Sequence, residues 1–124
     1  IHEDLTAAGI RIRHTPDQYG ENLARLIEIL RGTGATLLWA STTPVMFRTG
    51  ERFQAIPTLN RTAATLMKAQ GIGIDDLYEY VLPHAKEWQD SDQCHFNAEG
   101  NHQLGRQVTD HVRRALRERQ RKRR

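Results

Sequence analysis

Two short apolar runs, "ATLLWAS" at residues 35–41 and "IGIDDLY" at residues 72–78, each follow a longer segment with helical periodicity, and a third such segment closes the chain. That order constrains the fold more than any other feature. The first run does not alternate, which suits a parallel strand covered on both faces; the second reads as a short strand whose Ile72 and Ile74 alternate before the acidic Asp75 and Asp76. Before the first run, "TPDQYGENLARLIEILRGTG" predicts a helix: Thr15 stands at the N-cap, Pro16 at the first helical position and Gln18 where a capping box needs it. Tyr19, Leu23, Leu26, Ile27 and Leu30 share one face, and Gly32 and Gly34 supply the stop. Leu59, Ala63, Leu66 and Met67 mark a second amphipathic helix ended by Gly71. A third runs from about Asn97, with Leu104, Val108, Val112 and Leu116 expected on its inner face. Residues 45–57 and 81–94 read as loops.

Helix, strand, helix, strand, helix argues for an α/β fold with a parallel sheet. Two parallel strands make a poor sheet, because each leaves an unpaired edge. The chain therefore reads as the second half of a doubly wound domain. Alone, it is expected either to associate through its sheet edge or to be marginally stable.

The net charge of +3 conceals an asymmetry. Residues 113–124 hold eight basic residues and one acid, which leaves ten basic and fourteen acidic residues in the rest, a net of −4. The expected organisation is one α/β domain over residues 1–116 and a basic tail over residues 117–124. A basic tail without interleaved aromatics is usually a solvated helix end, so nucleic acid is not the expected partner, and charge is all that points to an anionic membrane. No apolar run is long enough for a transmembrane helix. The single cysteine, Cys94, leaves the compartment undecided. His95, His102 and His111 are too far apart for an i, i+4 metal pair, and the glycines of "GTGATLLW" precede a strand where a dinucleotide loop would follow one. No metal and no cofactor is expected.

The chemistry concentrates in "DSDQCHFNAEG". Asp92 and His95 stand three apart on a loop just ahead of a helix start. A histidine base needs a carboxylate to fix its tautomer and stabilise the imidazolium that forms, and this spacing lets the chain fold back so that the two meet. Spacing alone is weak evidence, since many loops carry Asp and His three apart.

Context adds to it. The run "TTPV" after a buried strand, then "LNRTAATLMKAQGIGIDDLY", then "DSDQCHFNAEGNHQLGRQVTDHV", resembles the C-terminal half of the SGNH (GDSL-type) esterases and lipases. The last block of that family, Asp-x-x-His-(Phe/Pro)-x-x-x-Gly, is matched by Asp92, His95, Phe96 and Gly100. The resemblance implies the C-terminal part of a flavodoxin-like doubly wound parallel sheet, with His95 as general base and Asp92 as its orienting acid. It implies further that "IHED" is the remainder of the block that holds the oxyanion, with His2 in the Asn position. The substrate implied is a small ester, cleaved by Ser-His-Asp acyl transfer.

The family's Gly-Asp-Ser block has no counterpart here. Only Ser41 and Ser91 exist. Ser41, following a buried strand, is a weak candidate nucleophile because it lacks the strained turn that activates such a serine. Ser91 reads as a loop-shaping residue, and Cys94 as pointing away from the reacting nitrogen. The expected partner is thus a complementing N-terminal half, or a second copy. A reading of a different class stays open: a non-catalytic half-domain that binds a partner through its open edge or its basic tail. Met46, Phe47 and Phe53 fit either a substrate pocket or ordinary core.

Overall fold

The computed structural model describes residues 5–6, 9–10, 14–46, 51–122 and 124. Two short strands, β1 (Leu5–Thr6) and β2 (Gly9–Ile10), pair antiparallel. The helix α1 (Pro16–Arg31) follows, and the capping box expected from the sequence is formed: Thr15 Oγ1 accepts from Gln18 N–H at 3.2 Å, and Gln18 Oε1 accepts from Thr15 N–H at 3.0 Å. Beyond the helix the chain reverses at Gly34, whose φ of +71° suits a residue without a side chain.

The two apolar runs become β3 (Leu38–Ala40) and β4 (Gly73–Asp75), which pair in parallel with Leu38 opposite Gly73, Trp39 opposite Ile74 and Ala40 opposite Asp75. The helix α2 (Glu51–Ala69) joins them, packing against α1 and β4. Ile27, Leu59, Ala63 and Met67 are buried among these helices. The architecture is mostly helical around a small parallel sheet, an α/β fold.

Three expectations are corrected. Residues 45–57 do not all form a loop, because α2 starts at Glu51 and carries Pro57 inside it. Pro57 deletes one backbone hydrogen bond, but the rest of the helix is held by its packing on α1. Residues 81–94 are not all loop either. They include the end of α3 (Leu77–Val81), a 3₁₀ turn (Leu82–His84) and α4 (Ala85–Trp88), pieces too short to show periodicity. α3 is capped by Asp76, whose carboxylate accepts from Glu79 N–H at 3.2 Å.

The third correction concerns the inner face of α5 (Ala98–Lys122). Its inward residues are Leu104, Gln107, His111 and Ala115; Val108, Val112 and Leu116 are exposed. The reason lies in β4. Asp75 is fully buried; its Oδ1 accepts from Gln107 Nε2 at 3.1 Å and lies 3.6 Å from His111 Nε2. Leaving a buried carboxylate unpaired costs about 3 kcal/mol or more. Partial exposure of a valine costs less than its full burial term of roughly 1.5–3 kcal/mol. The helix therefore turns its polar residues toward Asp75.

A candidate acid-base site on the loop before α5

The loop carrying Asp92 and His95 is closed like a hairpin. Gln89 and Phe96 form an antiparallel bridge, Asp90 N–H donates to the His95 carbonyl at 2.8 Å, and Asn97 N–H donates to the Trp88 carbonyl at 2.9 Å. At its tip Gln93 takes a φ of +56°, uncommon for a residue other than glycine. Its N–H donates to the Asp90 carbonyl at 2.8 Å, and its own carbonyl accepts from Met46 N–H at 2.9 Å.

Below the loop, Val81, Ala85 and Trp88 form a buried cluster with Tyr80, Phe96 and Leu104 packed against it. His84 stacks on Trp88 with ring centroids 4.2 Å apart. The start of α5 is fixed at three points. Asn97 Oδ1 accepts from Gly100 N–H at 2.9 Å, Asn97 Nδ2 donates to the Glu87 carbonyl at 2.8 Å, and Asn101 Nδ2 donates to the Phe96 carbonyl at 2.8 Å. Gly100 is packed closely against Trp88. A Cβ there would strike the Trp88 carbonyl and come within 3.0 Å of Phe96 Cδ1.

These anchors set the Asp92–His95 geometry. Asp92 Oδ1 accepts from both Cys94 N–H and His95 N–H at 2.9 Å, and Asp92 Oδ2 lies 2.5 Å from His95 Nδ1. The hydrogen bond to the His95 ring, reinforced by those two backbone donors, lowers the Asp92 pKa to about 2. The same carboxylate raises the His95 pKa above its ordinary 6.5. With Nδ1–H donated to Asp92, the neutral ring presents Nε2 as a lone pair, and the side chain is 81% exposed. Chemically the pair can accept a proton at Nε2 and stabilise the resulting imidazolium.

Ser41 sits elsewhere. Following β3, it is buried; its hydroxyl donates to Asp76 Oδ1 at 2.9 Å and accepts from Tyr78 N–H at 2.8 Å. Those partners make it a link between the ends of β3 and β4, and none of them is His95. Ser91 is exposed in the turn before Asp92. His2, expected at the oxyanion position, lies outside the described residues, as does Phe47; the side chain of Phe53 does too, and Met46 is exposed. Among the described residues no group of three or more His, Cys, Asp or Glu is arranged to hold a metal ion, and no helix is long and apolar enough to cross a membrane.

Two supporting residues escaped the sequence reading. The Gln89 side chain donates to the Pro44 carbonyl at 2.7 Å and so ties the segment after β3 to the Asp92 loop. Asn60, on α2, holds Thr42 through both its N–H and its carbonyl, at 3.0 and 2.8 Å. Neither has a local signal, because each acts across more than fifteen residues of sequence.

The esterase domain of the ZfL2-1 ORF1 protein from the zebrafish ZfL2-1 retrotransposon superposes on this chain with a TM-score of 0.73 and 20% identity, over 81% of this chain and 60% of that one. A lipase/acylhydrolase from Enterococcus faecalis matches with a TM-score of 0.67 and 21% identity, over 82% of this chain and 53% of that one. The chain shares the fold of these esterase and lipase/acylhydrolase domains. It spans little more than half the length of either. No protein-family model matches the sequence, and neither does any curated protein.

Proposed function

We propose that this chain carries the general base, His95, and its orienting acid, Asp92, of an SGNH-type ester hydrolase that works by Ser-His-Asp acyl transfer. The observation that carries the reading is the short Asp92 Oδ2–His95 Nδ1 hydrogen bond on a loop closed by the Gln89–Phe96 bridge, on an exposed ring whose Nε2 has no hydrogen-bond partner among the described residues. The shared fold supports it. In this reading the sheet is the C-terminal part of a doubly wound domain, and the nucleophilic serine comes from outside residues 1–124, because the Ser41 hydroxyl is already bound to Asp76 and Tyr78.

The chemistry follows from the tautomer. Nε2 takes the proton of the serine hydroxyl as its oxygen attacks the ester carbonyl, and Asp92 stabilises the imidazolium that forms. The same Nε2–H then protonates the departing alcohol. In deacylation Nε2 takes a proton from water and returns it to the serine. His2 is proposed as a donor to the oxyanion, and the substrate class is a small ester.

The test is hydrolysis of a short aryl ester by this chain joined to its serine-bearing part. His95→Ala is expected to lower turnover on the order of 10³-fold or more, with Asp92→Asn costing somewhat less. Activity equal to the parent in both variants would remove the assignment and leave a non-catalytic half-domain.

A further inference from the structure

The segment that leaves β3 is held at three successive points. Asn60 binds both backbone groups of Thr42, and Gln89 Nε2 donates to the Pro44 carbonyl at 2.7 Å. The Met46 N–H then donates to the Gln93 carbonyl at 2.9 Å. Pro44 and Gln89 are buried, whereas Met46 is 43% exposed and so stands outside the core. Its place is set by the Asp92 loop. Gln93 lies two residues before His95, a Cα separation of at most about 7 Å. Gln93 keeps its φ of +56° while its carbonyl takes the Met46 N–H. Such conformations persist where the surroundings hold them, and they gather at functional sites. Ligand sites of parallel α/β sheets also lie beyond the carboxyl ends of the strands, where this segment begins.

The mechanism says which part of a substrate comes near. His95 Nε2 takes the serine proton and then gives it to the departing alcohol, so the alcohol oxygen passes within hydrogen-bond reach of the ring. The acyl group stays on the serine. A side chain anchored beside the His95 loop is thereby on the leaving-group side. Methionine suits an apolar group there, because its thioether chain is flexible and polarizable and adapts to irregular shapes.

We propose that Met46 is a specificity-determining residue of the hydrolase, packing against an apolar alcohol portion of the ester beside His95. The inference rests on the acyl-transfer reading and adds the side of the substrate that this chain selects.

The test measures kcat/KM of this chain joined to its serine-bearing part on two ester series. One varies the alcohol from methyl to hexyl acetate, and the other varies the acyl chain of a methyl ester from acetate to hexanoate. Met46→Gln keeps the length of the side chain and makes its end polar. It should lower the hexyl-to-methyl preference in the first series about tenfold and leave the second series as in the parent. Met46→Leu, apolar and of similar volume, should keep the parent's preference in both. Met46 is anchored through its backbone N–H, so both variants retain that contact, and circular dichroism checks that they are folded. An unchanged alcohol preference in Met46→Gln, or a change confined to the acyl series, would overturn the proposal and leave the hydrolase reading standing. A parent that hydrolyses neither series would remove the hydrolase reading, and the proposal with it.

Discussion

Asp92 grips His95 twice: one carboxylate oxygen takes the ring Nδ1–H, and the other takes the backbone N–H of the same residue. Residue and ring are thereby held by one side chain, which restricts the imidazole without burying it. The charged pair has a defined pH window. The raised His95 pKa means its contribution is complete below 6.5 and is lost as pH rises through the folded value. The lowered Asp92 pKa means its contribution is complete above 3.8 and is lost as pH falls through about 2. The pair thus interacts most strongly between those two limits. Asp92→Asn should lower the His95 midpoint in an NMR titration of its ring protons. An unchanged midpoint would show that the contact is not kept in solution.

A base acts in its neutral form, so the raised His95 pKa also sets the pH dependence of hydrolysis. In the assembled protein kcat/KM should rise through a limb above pH 6.5, and Asp92→Asn should move that limb down while lowering the plateau. A limb that stays in place in Asp92→Asn would assign it to another group.

Gly100→Ala tests how α5 is seated. The added methyl meets Trp88 backbone and Phe96, neither of which is the free end of a flexible side chain. A loss of roughly 1–3 kcal/mol is expected, seen as a lower midpoint in urea unfolding. A stability equal to the parent would mean that the Trp88–Gly100 contact is looser than described.

Gln107→Leu removes the side-chain donor that Asp75 Oδ1 holds at 3.1 Å. Asp75 Oδ2 is buried with no partner among the described residues, so the carboxylate would keep only its approach to His111. Destabilisation of roughly 1–3 kcal/mol is expected despite the more apolar residue. A more stable variant would show that the Gln107 contact does not hold Asp75 in place.

Ser41→Ala separates a structural hydroxyl from a nucleophile. Loss of the acceptor for Tyr78 N–H should cost about 1–3 kcal/mol of stability. In the assembled and folded protein, turnover should stay within a few-fold of the parent. A folded variant with no hydrolysis would make Ser41 the nucleophile.

What the sequence revealed and what it hid divide along the range of the interactions. The Thr15 box, the two short apolar runs that become strands and the start of α5 at Asn97 are written in residues a few positions apart, and apolar patterning or capping chemistry announces them. Asp92 and His95 were legible for the same reason, being three residues apart on one turn. The orientation of α5 was not. Its apolar pattern points one way, and the buried Asp75, more than thirty residues away, turns it another. Gln89 and Asn60 were hidden likewise, since a lone amide carries no pattern and its partner is fixed only by the fold. The short helices between Leu77 and Trp88 lack the length for a periodic signal.

The most direct test of the central claim is intact-mass analysis after treatment with a fluorophosphonate probe, run on residues 1–124 alone and together with the complementing part. No adduct is expected on residues 1–124. One adduct is expected on the complementing chain, formed only when residues 1–124 carry His95 and absent with His95→Ala. An adduct on Ser41, or labelling that is indifferent to His95→Ala, would contradict the account.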